Sequence, residues 1–285
     1  MIDRFVDTVS GDILADAARK CRMVFFTGLP ASGKSFLMRE QISMAASAGR
    51  RVRIIRWDAG LAAFERDSIL ARYPDVADGS HPIIRKAAGL WARQALARWL
   101  SENRDPAEML IGEVPIIGSR YSEFVQVIPD AAEPALASDT TVFFYPVPTG
   151  ELREKLEAIR KATFANPQHP DEARDAPPEI MNLAWRLTRE KAIELGLVTA
   201  RAVGDQSSYD ETTYRRFFDH LLRHRNARAI DIDTLYSVSG TAHDLEAGIS
   251  ELIATPGEVE NAIADVELAL TAGKVVREVE NWYLV

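Results

Sequence analysis

Apolar residues along this chain follow two alternating rhythms: short unbroken runs, and longer stretches with helical spacing. Met23-Val24-Phe25-Phe26-Thr27 is an unbroken run, the pattern of a strand buried on both faces. Before it, residues 1–21 space Phe5, Val9, Ile13 and Ala17 four apart, which predicts an amphipathic helix. After it, a stretch free of Gly and Pro carries Phe36, Leu37, Gln41 and Ser47 up to Gly49, and reads as a helix with a glycine stop. Arg51 to Trp57 alternates as a second strand ending at Asp58. Residues 83–100 give the clearest helix, with Ile84, Ala88, Trp91, Ala95 and Trp99 on one stripe.

Two further strands follow. Met109 to Gly112 runs into Glu113-Val114-Pro115, and Thr141 to Tyr145 runs into Pro146-Val147-Pro148. Residues 150–163 read as a charge-rich helix, and residues 165–178, with four prolines, as a loop. Helices are predicted at about 179–195, stopping at Gly196, and at about 211–225, dense in Arg and His; Ala229 to Asp233 reads as a fifth strand. The tail from 243 to 285 reads as two helices.

Strands alternating with helices predict an α/β fold: a three-layer arrangement with a central parallel sheet of about five strands, residues 23–27 at its centre. The expected division is an N-terminal helix (1–21), a main domain (22–240) with a lid and insertion at about 150–225, and a helical C-terminal extension (241–285).

Composition narrows the function classes. The 285 residues are 47% hydrophobic, ample for a core. The net charge of −8 comes from 34 basic and 42 acidic residues with no long block of either sign, so nucleic acid and anionic membrane surfaces are disfavoured as partners. Cys21 is the single cysteine, which leaves no disulfide framework and predicts a reduced, buried thiol. His220 and His224 stand at i, i+4 without the glutamate of an H-E-x-x-H helix, and read as solvated. No basic-then-apolar leader and no run of 18 apolar residues is present, which predicts a soluble cytoplasmic protein. A homodimer is left open.

The most specific signal is Gly28-Leu29-Pro30-Ala31-Ser32-Gly33-Lys34-Ser35, which fits the phosphate-binding pattern G-x-x-x-x-G-K-[ST]. Such a loop grips β- and γ-phosphates with backbone N–H groups that Cβ atoms would obstruct, so Gly28 and Gly33 supply a bare, permissive backbone. Pro30, Ala31 and Ser32 complete the cradle. Lys34 is expected on the phosphate oxygens and Ser35 on a Mg²⁺ ion, and the helix opening at Gly33 adds free N–H groups and its positive dipole end. The expected cofactors are ATP and Mg²⁺.

In a parallel sheet, ligands sit beyond the carboxyl ends of the strands. Three candidates stand there. Asp58 could take the proton of an acceptor hydroxyl, or could serve as an ordinary helix N-cap; its strand is expected next to that of residues 23–27. Glu113 could hold the Mg²⁺ water shell or the substrate, with Gly112 letting a ligand approach, against the alternative of a solvated loop carboxylate. Arg120, seven residues on, could reach the same cleft. The third group is Arg153, Arg160 and Lys161, where Arg153 and Arg160 share a helical face. They read either as an arginine-bearing lid or as a solvated face interleaved with Glu151, Glu154 and Glu157.

Together these features resemble the P-loop kinases of small molecules, including nucleoside, gluconate and adenylylsulfate kinases. The layout is most similar to the zeta-toxin kinases, down to Val147-Pro148 closing the fourth strand. The resemblance spans about residues 22–165. It implies phosphoryl transfer from ATP with Mg²⁺, to a sugar nucleotide in that family, with Asp58 as base. Asp58 is followed by Ala59-Gly60 where those enzymes have a second acidic residue, and Glu113 by Val-Pro-Ile-Ile-Gly instead of a Gly-Thr-Gly turn. The resemblance therefore extends to the kinase group, with a small metabolite, sugar or nucleotide as acceptor. The alternative is a regulatory NTPase that hydrolyses or senses nucleotide without an acceptor. No Asn-Lys-x-Asp guanine motif is present.

Overall fold

The computed structural model describes residues 4–76, 79–166, 178–199, 208–236 and 249–285. Its centre is one open sheet of six parallel strands: β1 (Met23–Phe26), β2 (Arg51–Arg56), β3 (Glu108–Glu113), β4 (Thr141–Pro148), β5 (Ala227–Ile232) and β6 (Ser250–Glu251), in the order β5-β4-β1-β3-β2-β6. Parallel neighbours require crossover connections, and eleven helices lie among the described residues.

The apolar runs are continuous because each strand feeds two cores. Met23 and Phe25 of β1, Leu110 of β3 and Phe143, Tyr145 and Val147 of β4 enter one buried cluster. Val24 and Phe26, Met109 and Ile111, and Val142 and Phe144 enter the other. Against the first face pack α3 (Trp57–Phe64), α5 (Pro82–Glu102), α8 (Pro178–Glu194), α9 (Glu211–Leu221), α10 (Pro256–Ala269) and α11 (Ala272–Glu280). Against the second pack α1 (Val9–Lys20), α2 (Lys34–Ser47) and α7 (Gly150–Ala165). The short helices α4 (Asp67–Leu70) and α6 (Glu133–Leu136) complete the set. The predicted stripe of α5 is buried at all five positions.

Several expectations need correction. The sheet has six strands, not five: Ser250 and Glu251 pair with Arg53 and Ile54 at the edge, and Arg56 holds Glu251 through two hydrogen bonds of 2.9 Å. Two polar residues carry no apolar period, so pattern alone misses them. The tail is therefore a strand followed by two helices; the first opens with a capping box of Thr255 and Glu258. At the N-terminus Phe5 belongs to a separate 3-10 turn, and Val9 is 78% exposed because Gly11, Leu14, Ala17 and Ala18 form the buried face. The second strand stops at Arg56, and Trp57 and Asp58 belong to the first turn of α3. That strand is not next to β1: β3 lies between them. The loop expected over 165–178 falls largely outside the described residues.

Gly112 also has a different role from the one expected. An added Cβ would lie 2.7 Å from a Phe25 ring carbon and 2.8 Å from Ile55 Cγ2, so the missing side chain makes room for sheet-face packing and not for a ligand. Gly112→Ala is expected to cost about 1–3 kcal/mol by overpacking, read as a lower chemical-denaturation midpoint. An unchanged midpoint would show slack on this face.

Candidate active site

The strand ends set the site. Phe26 of β1 is in register with Glu113 of β3 and Phe144 of β4, and Glu113 is in register with Arg56 of β2. The chain therefore leaves β1, β2 and β3 at one edge, while β4 runs on to Pro148.

Residues 28–35 wind from β1 into α2 through left-handed conformations, with φ of +135° at Gly28, +54° at Ala31 and +96° at Gly33, the N-cap of α2. Successive turns of this kind aim backbone N–H groups into one concavity, and the first N–H groups of α2 have no intrahelical partner. Gly28 is dictated by crowding as well as by φ: a Cβ there would lie 2.5 Å from the Tyr214 hydroxyl and 3.1 Å from Ser32 Oγ.

Lys34 is 6% exposed, and its ammonium donates to the Leu29 carbonyl at 2.8 Å, bending back across the loop. Glu113 lies 3.7 Å from that ammonium and accepts from Ser35 Oγ at 2.9 Å. Burial lowers the Lys34 pKa, against the opposing pull of Glu113; Arg160 and Arg153 add to the lowering. The expected trio of Lys34, Ser35 and Glu113 is thus brought together.

Asp58 joins the same field. Asp58 is exposed to solvent, with protein packed close on its other sides. That desolvation, then the Glu113 charge, pushes its pKa up to about 6, against Lys34, Arg120 and Arg56. Asp58 does not act as the N-cap, a position held by Arg56.

Arg153, expected either on a lid or on a solvated face, is 1% exposed. It donates to the Pro30 carbonyl and to Glu157 (2.7 Å), and packs over the Tyr209 ring at 5.7 Å. Thr149 fixes the start of its helix by accepting from the Leu152 N–H. Arg160 is half-buried and acts electrostatically on Lys34, whereas Lys161 is exposed. The stretch between this helix and α8 lies outside the described residues.

Sequence reasoning missed Tyr209 and Tyr214. They reach the loop from a region far downstream, and the only available signal was the i, i+3, i+4 set of Tyr214, Phe217 and Phe218 in a helix read as basic. Among the described residues Arg153 Nη2 is buried with no hydrogen-bond partner, while the Tyr214 hydroxyl stands beside Ser32 Oγ and the Leu29 backbone. A buried polar group left unpaired is costly, and one beside this loop fits a site built for a polar guest.

No protein-family model matches the chain, and no curated protein does either, so the geometry carries the functional argument. Among the described residues no helix is long and apolar enough to cross a membrane.

The raised Asp58 pKa has a stability consequence. The folded state binds the proton more tightly than the unfolded chain, whose aspartate titrates near 4, so stability falls as pH rises from about 4 through about 6. Asp58→Asn is expected to raise the denaturation midpoint at pH 8, with the gain shrinking towards pH 4. No gain at pH 8, or equal gains at both ends, would remove the raised pKa.

Proposed function

We propose that the protein is a P-loop kinase, an ATP-dependent phosphotransferase acting on a hydroxyl of a small metabolite, sugar or nucleotide. The observation that carries this reading is the convergence on loop 28–35 of Lys34, Ser35 and Glu113, with Asp58 in the same electrostatic field. The residues fit the nucleotide and its metal. The missing Cβ of Gly28 admits the Tyr214 hydroxyl against the loop, and the buried Arg153 nitrogen left without a partner suits an anionic guest.

The backbone N–H groups of residues 28–35 bind the phosphates, and Lys34 exchanges the Leu29 carbonyl for phosphate oxygens. Ser35 and Glu113 would hold Mg²⁺, which would supply positive charge to the transferring group. Arg153 adds a buried charge beside Pro30, and Arg160 a second cation towards Lys34. Asp58 accepts the proton of the acceptor hydroxyl as that oxygen bonds to the γ-phosphorus and the β–γ bridge bond breaks, releasing ADP. A pKa of about 6 keeps Asp58 largely ionised at neutral pH and still basic enough to accept. A carboxylate in this position can orient a water as well as a hydroxyl, so transfer and hydrolysis are told apart by the acceptor.

The test is incubation with ATP, Mg²⁺ and a pooled metabolite library, following phosphorylated products by mass spectrometry. Lys34→Ala is expected to abolish transfer while circular dichroism is unchanged. Asp58→Asn is expected to slow transfer by roughly 10²- to 10⁴-fold at nearly constant ATP affinity. ATP hydrolysis that ignores every acceptor and survives Asp58→Asn would replace the kinase with the NTPase.

A further inference from the structure

Beyond the loop lies a cavity of about 690 Å³ between the 114–121 segment, α8 and α11 with the residues after it. Its size is that of a drug-sized ligand site. Ile117, Leu183, Leu187, Val279 and Trp282 give it apolar walls, and Arg120 lines the same space, as do the exposed carboxylates Glu190 and Glu280.

The cationic groups in these walls are in different states. Lys191 is taken by Glu194 at 2.8 Å and by the Tyr283 ring at 4.5 Å. Arg85 donates to the Gly118 carbonyl at 3.3 Å. Among the described residues the Arg120 guanidinium makes no hydrogen bond and no salt bridge; burial disfavours its charge, and the Asp58 carboxylate is the group that opposes this. Arg120 is half-buried, so the lack of a direct partner carries part of the cost of an unpaired buried charge, and a guanidinium fork matches a carboxylate or phosphate in two parallel bonds.

The backbone around Arg120 is also held under strain. Ile116 (φ +58°), Gly118 (+67°), Ser119 (+63°) and Tyr121 (+59°) are all left-handed. For the three with side chains this costs of order 1–3 kcal/mol each, and the β-branched Ile116 is the most unusual. Strain of this kind, in a buried segment that delivers one unpaired arginine into a cavity, marks a binding site.

We propose that this cavity binds an amphipathic hydroxy acid, an apolar body carrying a carboxylate or phosphate monoester a few atoms from a hydroxyl, with the anion on Arg120. The apolar body lies against Ile117, Leu183, Leu187 and Trp282. Tyr121 packs edge-on against Trp57 at 4.9 Å, which sets their chain neighbours Arg120 and Asp58 on adjoining segments, so the hydroxyl beside the anion is the one directed towards the Asp58 carboxylate. That last step rests on the kinase reading; binding in the cavity does not.

The experiment separates the two. Binding of 3-hydroxy carboxylates of four to ten carbons, their methyl esters and hydroxyalkyl phosphate monoesters is measured by thermal shift and ligand-observed NMR without nucleotide. The proteins are the wild type, Arg120→Gln, Leu187→Trp and Lys34→Ala, each checked for fold by circular dichroism. Either anionic series is expected to bind the wild type and Lys34→Ala alike, with affinity rising with chain length. Arg120→Gln is expected to weaken it about 10- to 100-fold, the loss of a charged hydrogen bond, and Leu187→Trp to remove the longer members first. Preference for carboxylates or for phosphates tells the two anion sources apart.

Methyl esters binding as well as acids, indifference to Arg120→Gln, or no anionic binder at all would overturn the proposal. Should Leu187→Trp fail to fold, the acid–ester comparison and Arg120→Gln still decide. A ligand that binds the cavity but gains no phosphate from ATP would leave the site standing and remove the step that brings its hydroxyl to Asp58, whereas failure of the kinase reading is seen as no phosphorylated product in the metabolite library.

Discussion

Everything at the site depends on the register of β3 beside β1. Pairing Phe26 with Glu113 brings the end of β3 level with the start of the 28–35 loop, and it is this alignment that lets one carboxylate reach both Ser35 Oγ and the Lys34 ammonium. A slip of one residue in a parallel pair would turn the Glu113 side chain to the opposite sheet face. The slip is prevented by the two cores: Leu110 and Ile111 fill opposite faces, and Gly112 fits between Phe25 and Ile55 only in this alignment. Packing on both faces thus sets the position of a polar group at the sheet's edge.

Within that edge, charge and burial are balanced against each other. Desolvation lowers the Lys34 pKa and raises that of Asp58, and each charge opposes this in the other. Glu113 helps Lys34 and hinders Asp58, so the lysine holds its proton more readily while the aspartate is tuned upward. A shared carboxylate that pushes two neighbours' affinities in directions useful for phosphate binding and proton acceptance is a common way for a cleft to separate an electrostatic role from a basic one.

The sequence made legible whatever is written in local patterns. The unbroken runs predicted β1, β3 and β4, and the stripe from Ile84 to Trp99 predicted α5. It also placed Lys34, Ser35, Asp58, Glu113 and Arg153 among the groups that converge at the carboxyl edge. It could not show which strands are neighbours, because adjacency is decided by crossovers between distant segments; β2 was expected beside β1 and stands one strand away. Gly60 shows the same limit: its missing Cβ accommodates the Tyr121 hydroxyl, which would otherwise lie 1.9 Å from it, and nothing near residue 60 in sequence announces residue 121. Tyr214 at Gly28 is a third case. Long-range contacts select residues for shape, and shape complementarity leaves no periodic trace.

The strained 114–121 segment persists because both of its ends are fixed. Upstream, Val114 N donates to Phe26 O at 2.9 Å and Thr27 Oγ1 to Pro115 O at 3.2 Å, which ties its start to β1. Downstream, the fully buried Arg93 binds Asp130, Glu133 and the carbonyls of Glu123 and Ile128, while Arg225 binds Glu133 and the carbonyls of Phe124 and Gln126. Buried ion pairs of this kind add little net stability compared with apolar packing, but breaking one partner is costly, so they hold one arrangement against its alternatives. With 123–133 clamped and Tyr121 wedged edge-on against Trp57 at 4.9 Å, the residues between cannot relax their left-handed backbone without unseating a packed ring. The chain therefore retains an unfavourable conformation at Ile116 and Ser119, and what that conformation delivers is Arg120, within the electrostatic reach of Asp58 and in the wall of the cavity.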